Sequence, residues 1–107
     1  MSSFELTELG EGRFGLSGDM SFATAEAILR RSDQLFAQHD TVEVDLSAVE
    51  NTDSAGLALL LEWISLAARQ GRKISYAQIP EKIQAIAVTA EIDELLQRAY
   101  SSAASSS

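Results

Sequence analysis

The chain has 107 residues, one histidine, no cysteine and a formal net charge of −8. That length supports one domain around a single core, and 46% apolar residues with interspersed charges mark a globular chain rather than a disordered one. Without cysteine there is no disulfide framework or thiolate metal site, His39 by itself makes no histidine-rich metal centre, and the excess of acid opposes nucleic-acid phosphates and anionic lipid while suiting a basic protein partner.

Phe4, Leu6 and Leu9 precede Gly10-Glu11-Gly12, and Phe14 and Leu16 follow with Arg13, Gly15 and Ser17 interleaved. Alternation on both sides of a glycine turn predicts a β-hairpin. Gly18 to Phe22 reads as a connection. A helix follows from Ala23 to about Gln38, with Ala25, Ile28, Leu29, Leu35 and Phe36 on one face. His39-Asp40 ends it, and His39 reads as a solvated terminal residue. Thr41 to Ser47 is a strand, because Val42, Val44 and Leu46 alternate with Glu43 and Asp45. A second helix runs from about Ala55 to Gln70, stopped by Gly71. Lys73 to Ile79 is a further strand, and Pro80 opens a third helix carrying Ile83, Ile86, Ala87 and Ala90. Ile92, Leu95 and Leu96 suit a last short helix.

Residues 1–100 are thus expected to form one domain, and Ser101 to Ser107 a disordered Ser/Ala tail. Strand–helix–strand units favour parallel pairing and right-handed crossovers. The expected class is α/β: a small mixed sheet with an N-terminal antiparallel hairpin, flanked by helices. The N-terminus lacks the pattern of a signal peptide. No apolar run approaches the roughly 20 residues of a membrane-spanning helix. A cytoplasmic protein without direct membrane insertion is expected.

The run from Asn51 to Trp63 stands out. A polar loop, Thr52-Asp53-Ser54, joins the strand to the most apolar helix. Asp53 or Ser54 can cap that helix through a first-turn N–H. Ala55 and Gly56 carry almost no side chain, so another backbone could approach them closely. On the helix, Leu57, Leu60, Leu61, Ile64 and Ala68 form a core-facing stripe, while Leu59, Trp63 and Leu66 form a second one, separated by Glu62, Ser65 and Arg69. The second stripe meets either the last helix or a partner, with Trp63 as anchor in the latter case. The expected partner-binding set is therefore Thr52, Asp53, Ser54, Ala55, Gly56, Leu59, Trp63 and Leu66. Catalysis is not expected. Ser54, His39 and Asp45 supply the residue types of a triad, but nothing in their spacing brings them together. The G-x-S-x-G elbow and the Gly-Lys-Ser/Thr of a P-loop are both missing.

With its strand Val42 to Leu46 and the run Asp53-Ser54-Ala55-Gly56-Leu57, the chain resembles the STAS family, the domain of anti-sigma factor antagonists and of sulfate-transporter cytoplasmic tails. The resemblance covers about Phe4 to Leu96. It implies a mixed sheet flanked by helices, no cofactor and no enzymatic activity, and it makes Ser54 the position of a phosphoacceptor. Gly56-Leu57-Ala58-Leu59-Leu60-Leu61 and Ala67-Ala68-Arg69-Gln70-Gly71 are most similar to MlaB-type members, STAS subunits of an ABC system for intermembrane phospholipid transport. That implies an ABC transporter ATPase as partner and a place at the inner membrane through it. MlaB-type loops often carry Thr where this chain has Ser54. The Asp-Ser pair keeps a second partner class open, an anti-sigma factor with its serine kinase.

Overall fold

The computed structural model describes residues 3–89; the helix expected around Ile92, Leu95 and Leu96 and the Ser/Ala tail lie outside them. Among the described residues the sheet has four strands in the order β1 (Phe4–Gly10), β2 (Arg13–Met20), β3 (Thr41–Thr52) and β4 (Lys73–Ala77). β1 and β2 pair antiparallel, while β3 runs parallel to both β2 and β4. The hairpin turn places Gly12 at φ 74°, and a Cβ there would lie 2.5 Å from the Thr41 carbonyl oxygen, so glycine is required twice over.

The alternation seen in the sequence becomes one buried face. Phe14, Val44 and Tyr76 lie side by side across three strands, and each is fully buried. Leu6, Leu16, Val42 and Leu46 extend the same layer. Glu43 occupies the alternate phase and pairs with Arg13 across the strands at 3.4 Å. Three strand boundaries shift. Gly18 to Met20 belong to β2, β3 continues five residues past Ser47, and β4 ends at Ala77 rather than Ile79. The β2–β3 register slips between Gly15 and Ser17 and again between Gly18 and Asp19. Each bulge adds a residue to β3 and breaks the two-residue period, which hides the strand's second half from pattern reading.

α1 (Ala25–Phe36), α2 (Ser54–Arg69) and α3 (Glu81–Thr89) all contribute to the core above this face, through Ile28 and Phe36, Leu57 to Trp63, and Ile83 and Ala87 respectively. The expectation of an accessible Leu59/Trp63 stripe is corrected here. Leu59 is 4% and Trp63 2% exposed, because α1 covers that flank of α2. The indole sits 5.5 Å from the Phe36 ring and 6.2 Å from Tyr76. Its Nε1–H donates to Ser32 Oγ at 2.8 Å, and the Ser32 hydroxyl donates to the Leu29 carbonyl. The buried positions Gly56, Leu57, Leu59, Leu60, Trp63 and Ala67 form one arc, about 160° wide at about 100° per residue. The two stripes read from the sequence are therefore the edges of a single buried face. α1 closes one side, and α3 packs near the helix start, where Ile83 reaches Gly56.

Replacing Trp63 by Ala removes an aromatic bridge and a buried hydrogen bond, and is expected to lower unfolding free energy by about 3–5 kcal/mol; Trp63→Phe, which keeps a ring, should cost less than half as much in a urea titration. Tyr76 supplies a second test. Its hydroxyl donates to the Leu60 carbonyl at 2.6 Å, and burial holds its pKa well above the usual value. The folded state thus keeps a proton that the unfolded chain releases near pH 10, so this contribution is complete below about pH 10 and is lost as pH rises toward the folded-state pKa. Tyr76→Phe should cost about 1 kcal/mol at neutral pH and flatten the loss of stability above pH 10. An unchanged alkaline slope would contradict the assignment.

Candidate docking site at the start of α2

The ends of the parallel strands β2 and β3 lie side by side, Met20 opposite Thr52. Thr52 Oγ1 donates to the Met20 carbonyl at 2.8 Å and is buried in doing so. The chain then leaves the strand through Asp53, whose extended backbone (φ −148°) makes it the N-cap of α2. Its carboxylate serves two loops. Oδ1 accepts the Ala55 N–H at 2.9 Å, while Oδ2 accepts the Phe22 N–H at 3.2 Å from the connection between β2 and α1. That connection is tied down independently: Thr24 Oγ1 accepts the Ser21 N–H at 3.0 Å and donates to the Asp19 carbonyl at 3.0 Å. Two short loops at the carboxyl ends of parallel strands are thereby locked to one another, at the edge where open α/β sheets present their sites.

The expected partner-facing residues separate into two groups. Ser54 is exposed as the first residue of α2, and Asp53, Ala55 and Leu66 are half-buried. Thr52, Gly56, Leu59 and Trp63 are buried, so their side chains serve the core. The smallness of Gly56 has an internal cause. A Cβ there would collide with Thr52 Oγ1 and lie 2.9 Å from the Met20 carbonyl oxygen. The backbone that approaches closely is the chain's own. Leu66 lines an open groove of about 290 Å³ between α1 and α2, with Leu29, Phe36 and Ile74.

His39 lies beyond the opposite end of β3 from Ser54, with the whole 12-residue strand between them, far outside hydrogen-bond reach. It is also not the solvated residue expected. Its Nε2 lies 3.1 Å from Glu8 Oε2 and its ring packs edge-on to Phe14 at 5.7 Å. Ser54, His39 and Asp45 therefore form no triad. A residue that pattern reading missed stands next to Asp53 instead: Phe22 is 86% exposed, with its N–H held by the Asp53 carboxylate. Its sequence signal is faint, a lone aromatic in Ser-Phe-Ala-Thr, outside the apolar face of α1.

A mixed sheet led by an antiparallel hairpin, with helices on it and a capped loop at the start of α2, is the architecture of a STAS domain. The chain is similar to the anti-sigma factor antagonist SpoIIAA in its unphosphorylated form, at 12% identity and TM-score 0.65 over 86% of this chain and 84% of that one. It is similar also to a sulfate transporter family protein from Wolinella succinogenes, at 14% identity and TM-score 0.65 over 90% of this chain and 80% of that one. At such identities these likenesses speak to the fold. The family model described as "Mlab, STAS domain" matches residues 7–97, and the chain belongs to that family. No curated protein sequence matches it.

Gly56 gives the site a test of sign. Gly→Ala inside a helix ordinarily stabilises by about 1 kcal/mol; here the added methyl meets a hydroxyl and a carbonyl, so Gly56→Ala should destabilise by about 1–3 kcal/mol. Asp53→Ala should cost about 1–2 kcal/mol through the lost cap, and Asp53→Asn, which can still accept from Ala55, less. Thermal melts of the three variants against the parent decide both points.

Proposed function

We propose that this chain is a non-enzymatic regulatory and assembly subunit that docks through the Asp53–Ser54 loop on the cytoplasmic ATPase of an ABC transporter for intermembrane phospholipid transport. On this reading it serves outer-membrane lipid asymmetry from the cytoplasmic side of the inner membrane, reached through its partner. Membership of the MlaB-type family supports the choice of partner. The observation that carries the choice of surface is Ser54: an exposed hydroxyl on a loop that hydrogen bonds hold rigid from both sides. A rigid, low-profile loop lets a partner dock without first ordering it, which reduces the entropy cost of association.

The same hydroxyl offers a switch. A phosphate on Ser54 adds roughly 1.5–2 negative charges beside the Asp53 carboxylate, at a point a docked partner must desolvate. The Asp53-Ser54 pair, a form used by anti-sigma factor antagonists, favours a second reading in which the partner is an anti-sigma factor with serine kinase activity. The two readings share the surface and differ in what covers it.

Titrating the purified chain with the ATPase of its own transporter tests the leading reading. Ser54→Glu is expected to weaken binding by about tenfold or more, equivalent to about 1.4 kcal/mol, while leaving the melting temperature nearly unchanged, since an acid is well tolerated in a first helical turn. Binding to a serine kinase in place of the ATPase, with phosphate transferred to Ser54, would select the second reading.

A further inference from the structure

Phe22 is the most exposed large apolar residue among the described ones, at 86%, and it is not on a floppy segment. Its backbone N–H is held by Asp53 Oδ2, and the loop around it is pinned by Thr24 to Ser21 and Asp19. An aromatic ring displayed on a fixed loop, with its backbone already ordered, loses little freedom when it enters a pocket. The two chain stretches around it carry acidic side chains and no basic ones. No Lys, Arg or His occurs from Phe14 to Leu29 or from Asp40 to Ala68, the two stretches that build this end of the sheet. Of the cations that bound these stretches, Arg13, His39 and Arg69 belong to element ends or turns away from the loop, and Arg30, within α1, is paired with Glu26. Meanwhile Asp19 and Glu50 lie near the carboxyl ends of β2 and β3 and Asp53 just beyond, at the edge from which the Phe22 and Ser54 loops leave the sheet, none of them buried. Lys82 of α3 is the cation that the neighbouring helix contributes, and it is exposed.

We propose that Phe22 is the apolar anchor of the docking surface, and that the partner presents to it a basic patch with an apolar socket, matched to the carboxylates of Asp19, Glu50 and Asp53 at the same edge of the sheet. The inference rests on the docking reading of the Asp53–Ser54 loop and deepens it by stating the chemistry of the partner's side. Asp53 is a positioning residue here: it caps α2 and fixes the Phe22 backbone with the same carboxylate. A negative group on Ser54 acts on both parts of the surface, by enlarging the acidic field and by crowding the carboxylate that holds Phe22. Acidic surroundings also set the surface against anionic lipid, which makes a protein the occupant.

Calorimetric titration of the transporter ATPase with the full chain tests this. Phe22→Ala should bind at least about tenfold more weakly with an unchanged melting temperature, Phe22→Leu should recover part of the loss, and Glu50→Gln should weaken binding at low salt by more than at high salt. Parent-level affinity of Phe22→Ala, alongside weakened Ser54→Glu, would overturn the inference and leave the docking reading standing. No binding of the parent chain would overturn both. Phe22-dependent binding to vesicles of anionic phospholipid, with ATPase affinity unaffected by the substitution, would assign the ring to a membrane and overturn the inference as well.

Discussion

The Asp53 carboxylate accepts one hydrogen bond from the helix it begins and another from a loop 31 positions earlier in the chain. Together with Thr52, whose hydroxyl bonds to the Met20 carbonyl, it ties the exits of two parallel strands into one unit. Parallel strands need this more than a hairpin does. Their ends are joined through long crossovers rather than a tight turn, so nothing local holds neighbouring loops in register. A capping residue that also accepts from the next loop supplies the constraint, and everything displayed at that edge inherits its rigidity.

The core explains why so little of the apolar helix is left for a partner. α1 and α3 join α2 above one face of the sheet, so α2 buries a wide arc and leaves Glu62, Ser65 and Arg69 to solvent. Trp63 is the seam between α1 and the sheet, touching Phe36 on one side and Tyr76 on the other, with its N–H satisfied by Ser32. An indole is well suited to that position because it fills a large volume and places a single donor where one acceptor is waiting. Ser32 is a polar residue on the buried face of α1 for the same reason.

What remains outside is small and chemically distinctive. Ser54, the edge of Asp53 and the Phe22 ring form a surface of one hydroxyl, one sign of charge and one apolar group. Recognition of a protein partner needs a desolvated anchor and complementary charge around it, and these are its ingredients. A nucleophile with a general base is a different arrangement, and His39 sits at the far end of β3 from Ser54.

The amino-acid pattern by itself determined the class of fold, the hairpin, the order of elements through α3 and the loop that caps α2. These follow from local rules: two-residue alternation in Val42 to Leu46, helical spacing in Ile28 to Phe36, glycine at turns, and Asp before a helix. The resemblance to STAS domains likewise lay in contiguous residues, Asp53 to Leu57. The tertiary structure decided which of those residues face water. Trp63 and Gly56 read as accessible because an apolar stripe and a missing side chain look alike whether a partner or the chain itself fills the space. Only the packing of α1 on α2, and of the Met20 carbonyl on Gly56, separates the two. Phe22 shows the converse: its neighbours in sequence do not announce an exposed anchor, because its exposure and its link to Asp53 arise between loops that only the parallel pairing of β2 and β3 brings together.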